Sequence, residues 1–438
     1  MALKRTLGFK ETLAIDIGAI IGAGIFVISG LAAGIAGPAV IIALVIGAIV
    51  SILTGLSFAQ LAHSYAKEGG NYEYARRELG RYPGFIVGLT FVVSGIVGGA
   101  VMALSFGSYF ASLFGAALSV PVVAALLVAI LGTINYVGVK LTAEASLVLT
   151  VIKITVLVVF IAVGAFFIRP GNYVPFAPEG SSSIFVAAAL VFFAYTGFAR
   201  STALGDEVKD PKHTIPKATV YSILISAVLY VAVVTVMVGI IPYGSLAASQ
   251  SPLETAIRYA TGDPILGYII AIGALFATIN VTLSMILGVS RVTFAMSRDD
   301  NLPKAARRTN RFGTPGIAVI VITAAMALSA LAINFTEIAS LSNAAALLSY
   351  ALANVAAIRL TLRSRSTLFK SKYFAAVPIM GVISAVSLIF FLTTDILYFM
   401  AAMLIIVTIY YALLRRKGSP KKRPNGSASG RRAALSAT

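Results

Sequence analysis

Ile17-Gly-Ala-Ile-Ile-Gly-Ala-Gly-Ile-Phe26 lies inside the first long apolar run of the chain, and its reading decides the fold. The run, Leu13 to Ala33, is long enough to cross a hydrocarbon core about 30 Å thick, so it reads as a membrane-spanning helix. Gly22 and Gly24 around Ala23 are poor helix formers in its middle. A helix unwound at that depth frees N–H and C=O groups that lipid cannot satisfy, which is tolerable only where they line a cavity. The competing explanation is that Gly18-x-x-x-Gly22 simply lets two helices pack closely.

Working outward, eleven more apolar runs follow: 39–63, 84–110, 119–137, 146–168, 184–203, 217–241, 264–290, 316–333, 337–360, 374–393 and 396–414. Only 11% of the 438 residues are charged and 59% are hydrophobic; a soluble domain carries about 25% charged residues. Mean hydropathy is +0.95. The expected class is therefore an all-α integral membrane protein of twelve transmembrane helices. The first run is too long and Gly-rich for a cleaved signal, and it leads straight into a second span.

A net charge of +18 would suggest nucleic acid in a soluble protein. With an inside N-terminus, however, 31 of the 34 Lys and Arg fall on the inner side. That bias sets orientation in membranes and removes the need for a nucleic-acid partner. Both termini are then cytoplasmic, with the plasma membrane as the expected location. There is no cysteine, the two histidines (His63, His213) show no metal-ligand spacing, and no cofactor is expected. The basic, Gly/Ser/Pro-rich tail, 415–438, reads as a disordered cytoplasmic segment touching anionic lipid.

Symmetry strengthens the reading of the first run. The sixth run also breaks, at Tyr195-Thr196-Gly197, and each broken run opens a block of five. Five is odd, so the second block runs through the membrane in the opposite sense. Amphipathic segments follow the second span of each block, Asn71 to Leu79 and Leu253 to Thr261. Interrupted helices at matching places in two inverted halves point to a transporter site near the midplane. The expected units are 1–168, 184–362, two extra helices over 373–414, and the tail.

Freed N–H groups at a positive helix end suit a carboxylate, and freed carbonyls on the other half-helix suit an ammonium. An α-amino acid offers both groups side by side. Phe193, Tyr195 and Phe198 place aromatics around the second break, as a lid and pocket wall or as a packing face at a kink. Lys153 is the one Lys or Arg well inside a span; it either snorkels to the headgroups or serves the site. A lysine in a dry site can load and release a proton near neutral pH. Asp16 reads as an interfacial carboxylate near the start of the first helix.

These residues resemble the amino acid–polyamine–organocation (APC) transporters, whose fold is the LeuT-type five-plus-five inverted repeat. Gly18 to Phe26 is very like the family signature, and Glu68-Gly-Gly-Asn-Tyr-Glu-Tyr74 looks like its sGGsYvY stretch. Phe192 to Phe198 resembles FFAYxGF, followed by Asp206 to Pro216, which is close to EEvknPkrtiP. Arg291 to Pro303 is similar to RxxyamaRDGxLP. The resemblance implies that the substrate carboxylate meets the amides of Gly22, Ala23 and Gly24. It implies that the amine meets carbonyls near Ile20, Phe193, Ala194 and Thr196, with Phe193 as the lid. A proton-coupled subgroup of broad specificity carries a lysine matching Lys153, with Thr278 and Asn280 as neighbours here. Many relatives, cationic-amino-acid transporters among them, have Asp where this chain has Ala199, followed by Arg200. That departure favours neutral substrates over cationic ones. An exchanger or a sodium symporter also remains open. An enzyme would need clustered acid, base or metal residues, and a channel a filter or charged ring; neither pattern is visible.

Overall fold

The computed structural model describes residues 5–22, 24–114, 118–249, 251–332, 335–363, 368–369 and 371–418. A chain this apolar must close its backbone hydrogen bonds locally, and the described residues are helical, with no strand among them. Among the described residues, ten helical stretches are long and apolar enough to cross a membrane. The first, Phe9–Ser64, runs through 56 residues and takes in the first two predicted spans, and Gly316–Ala332 is a shorter apolar helix. The protein is a multi-pass membrane protein.

Several helices outrun their apolar runs, because polar residues at a helix end continue the hydrogen-bond ladder once outside lipid. The fifth starts at Val139 and the eighth, Pro264–Arg298, reaches past the predicted 290. Prolines open Pro211–Ile240, Pro252–Thr261 and Pro264–Arg298, where a missing N–H costs nothing. The last helix, Thr394–Gly418, carries through Arg415, Arg416 and Lys417, so the predicted tail begins as helix; its remainder lies outside the described residues. The expected amphipathic segments are the helices Asn71–Glu78 and Pro252–Thr261. The turn before the first needs Gly69 and Gly70, whose φ values are 104° and 46°.

The longest helices, Arg81–Phe114 and Pro264–Arg298, pack on one another and form the centre of the bundle. Phe9–Ile20 lies against Val139–Gly164, Pro211–Ile240 and the segment Phe192–Ala199, which places both helix breaks at the middle. Val148, Val151 and Val158 on one face of Val139–Gly164 are exposed, as are Tyr398, Phe399, Ile405 and Ile406 of Thr394–Gly418, the surface expected of a lipid-facing rim.

Candidate functional site

Phe9–Ile20 ends with Ile21 in an extended conformation, its N–H still bonded to Ile17 O at 2.9 Å. The chain then unwinds and re-enters through a π turn at Gly24–Ile28 before Ser29–Ala36. Ala23 lies outside the described residues. In the other interrupted helix, Ser181–Val191 gives way to the 3₁₀ turns Phe192–Ala199 and Ser201–Ala203.

The two interruptions meet backbone to backbone. A Cβ added at Gly24 would fall on Cα and Cβ of Ala194, and one at Gly197 on the carbonyl of Ala19 and the nitrogen of Ile20. Gly22 faces Val281 and, at 3.2 Å from a notional Cβ, the Met102 sulfur. Gly18 faces Ser146 Oγ and Asn280 Oδ1, at 2.7 and 2.9 Å from a notional Cβ. The glycines therefore serve close approach as well as unwinding.

Lys153 sits fourteen residues into Val139–Gly164, and its side chain turns inward to the first break and not out to the headgroups. It is fully buried, and Nζ donates to Gly18 O and Ile21 O, both at 2.7 Å. Those are carbonyls of the first break. Thr278 Oγ1 turns to its own helix, donating to Ala274 O and Leu275 O. Asn280 joins the lysine helix at other points, donating to Ser146 O at 3.1 Å and Thr150 Oγ1 at 2.9 Å. Ser146, Thr150 and Lys153, spaced i, i+4, i+7, make one polar edge, and Thr150 also donates to Ala14 O.

The carbonyls of Ile20, Phe193, Ala194 and Thr196 each meet a donor from the protein itself. Tyr230 bridges the two breaks, its hydroxyl 2.8 Å from Ile20 O and 3.2 Å from Ala194 O. Thr196 Oγ1 donates to Phe193 O at 2.9 Å, and the Tyr350 hydroxyl donates to Thr196 O. A carbonyl has two lone pairs, so each keeps capacity for a second donor. The aromatics of the second break diverge. Phe193 lies against Gly98, Tyr195 against Tyr230 with ring centroids 5.1 Å apart, and Phe198 against Phe58 and Tyr350.

Three charged residues depart from expectation. Asp16, expected at the interface, is fully buried; Oδ1 accepts from Ser201 N at 2.8 Å and Oδ2 from Ser201 Oγ at 2.6 Å. The bonds tie the start of one broken helix to the end of the other, which is what makes burial tolerable. Arg200 and Arg291, counted as loop-side cations, are also buried, so Lys153 is not alone. Arg291 Nη2 pairs with Glu207 Oε1 at 3.1 Å.

That pair belongs to a closure at the N-terminal end of the bundle. Thr6 N and Leu7 N donate to Glu207 O, and Lys209 N returns to Leu7 O. Glu68 is buried beside them, with Arg298 3.8 Å away. Burial first, and then the charge of Glu207, push its carboxyl well above the usual carboxylate range.

The amino acid permease family model matches residues 11–418. A branched-chain amino acid permease of Bacillus subtilis (strain 168) is 33% identical over 377 residues, 82% of this chain and 81% of that protein. A methylthioribose transporter from the same strain is 30% identical, covering 89% of this chain and 88% of that protein. Cationic amino acid transporter 9 of Arabidopsis thaliana is 30% identical over 70% of this chain and 58% of its own length. The chain is thus a transporter and not an enzyme, and it belongs to the amino acid permease family within the amino acid–polyamine–organocation transporters.

Proposed function

We propose that the chain takes up neutral L-amino acids with a proton, by alternating access at the meeting point of the two broken helices. The observation that carries the proposal is the backbone crossing of Gly24 with Ala194 and of Gly197 with Ala19 and Ile20, beside a lysine bonded to the first break. Such a crossing offers amides and carbonyls from two half-helices to one small zwitterion, at the place where transporters of this design bind. The substrate carboxylate meets the amides of Gly22, Ala23 and Gly24. Its ammonium shares the carbonyls of Ile20, Phe193, Ala194 and Thr196 with the tyrosine and threonine hydroxyls, and Phe193 covers it.

On this reading the frame is twelve spans, five plus five inverted (1–168 and 184–362), with two added helices over 373–414 and an inner basic tail, in the plasma membrane. Similarity to a branched-chain permease supports apolar side chains, and the buried cation at Arg200 speaks against cationic ones. Lys153 carries the coupled proton: charged, it braces the first half-helix, and neutral, it releases that brace. Coupling needs such a difference between the two access states. The test is uptake of a panel of labelled amino acids into proteoliposomes, with and without an imposed pH gradient. Proton-driven accumulation of neutral amino acids is expected; accumulation only against a preloaded amino acid would make the protein an exchanger. Single cysteines check the frame, one near Ser182 labelling from outside and one near Ser427 only from inside.

A further inference from the structure

Arg200 stands four residues beyond Thr196, buried between Arg81–Phe114 and Pro264–Arg298. Its guanidinium carbon lies 4.8 Å from the Phe91 ring centroid, and Nη2 points at the Met285 sulfur, a weak acceptor. Nε and Nη1 have no hydrogen-bond acceptor among the described residues. The ionisable groups that act on it most are Tyr350 and Asp16. Both are committed elsewhere: Asp16 spends an oxygen on each Ser201 donor, and the Tyr350 hydroxyl donates to Thr196 O.

A buried charge is costly unless paired, and removing or withholding its partner is strongly destabilising. This chain nonetheless makes room for one. A Cβ at Gly288 would stand 3.1 Å from Arg200 Cδ, and one at Gly95 3.5 Å from Nη1. The guanidinium also lies beside the substrate region. A notional Cβ at Gly98 meets Ser342 Oγ at 2.7 Å, the Met285 methyl at 3.5 Å and the Phe193 ring at 3.6 Å. Met285 thus meets Arg200 at its sulfur and the wall formed by Phe193, Gly98 and Ser342 at its methyl, and methionine is an easily displaced apolar filler.

We infer that Arg200 is a small-anion site at the side-chain end of the substrate pocket, reached by displacing Met285. Its planar fork suits a carboxylate or a halide. The anion comes with the substrate, as the side-chain carboxylate of an acidic amino acid, or it is a free chloride that accompanies a neutral one. The inference rests on the substrate site proposed above and extends its specificity.

The full chain in nanodiscs is titrated with leucine in sodium chloride and in sodium gluconate at one pH, and competed with glutamate and with glutamine. A leucine affinity about tenfold higher in chloride assigns a halide; a glutamate preference over glutamine of about tenfold assigns the substrate carboxylate. Arg200→Gln must remove whichever difference is seen. Should that variant fail to fold, Met285→Phe, which blocks the approach without altering charge, must remove it instead. No difference in the wild-type chain, or one that survives these substitutions, overturns the inference. If no amino acid binds at all, the substrate reading has failed; the melting temperature in chloride against gluconate, with the same variants, then decides the anion site separately.

Discussion

The two helix breaks are built from different chemistry. The first is a glycine break whose freed carbonyls, Gly18 and Ile21, are held by the side-chain nitrogen of Lys153. The second is an aromatic 3₁₀ stretch whose freed carbonyls are held by neutral groups: the hydroxyls of Tyr230, Tyr350 and Thr196, and the amide of Asn343 on Ala189 O. Of these braces only the first is a basic group, one that holds a positive charge when protonated and none when not. On the proposed mechanism the first half-helix is therefore the proton-sensitive moving part, and the second is the fixed floor. Tyr230 touches both, since its hydroxyl lies within bonding distance of Ile20 O and Ala194 O.

The sharpest way to break this comparison is to separate the two backbones. Gly24→Ala places a methyl on Ala194, and Gly24→Leu adds bulk beyond it. Overpacking costs about 1–3 kcal/mol, and the shift falls on the binding amides themselves, so amino-acid affinity should drop at least about fivefold for Ala and vanish for Leu. Isothermal titration of the purified variants checks this; near-wild-type affinity in a folded Gly24→Leu protein would place the carboxylate elsewhere. Gly197→Ala tests the same crossing from the other side.

A smaller effect is expected from the neutral braces. Tyr230→Phe removes one hydrogen bond shared by the breaks, worth about 1 kcal/mol or roughly fivefold in binding. In a double-mutant cycle with Lys153→Ala the two losses should be non-additive, because both act on the first half-helix. Tyr350→Phe, confined to the second break, should add to Lys153→Ala independently.

The smallest effect concerns the closed end. Glu68 has a carboxyl raised by burial and then by Glu207 when packed, and an ordinary one when that end opens. The packed arrangement is favoured most below the ordinary value of about 4.3, and that advantage is lost as pH rises through the raised value. Labelling of a single cysteine at Thr6 should accelerate with pH, and Glu68→Gln should flatten the profile. An unchanged profile in Glu68→Gln would assign the pH dependence to another group.

Much of this was legible in the sequence, for physical reasons that also mark the limit. Apolar length gave the helices, since lipid leaves no alternative to a closed ladder. Glycine spacing gave the first break. The Lys153 edge was half visible: Ser146 and Thr150 sit at helical spacing from it, and the same periodicity would have found them. Tyr230 and Tyr350 were not found, because a tyrosine in an apolar helix reads as packing until its hydroxyl has a partner 150 or more residues away. Asp16 was misread because position along the chain suggested an interface, whereas its partner Ser201 comes from the other broken helix. Long-range partners such as these have no local signature.

The central claim is that the ammonium on the first break carries the coupled proton. The direct measurement is pH-gradient-driven accumulation of a neutral amino acid in proteoliposomes containing Lys153→Ala, beside wild type, with equilibrium binding measured on the same preparation. The account predicts substrate binding with no accumulation above equilibrium, and no rescue by sodium. Concentration of substrate against its gradient by Lys153→Ala, driven by protons at the wild-type level, would contradict it and send the proton by another route.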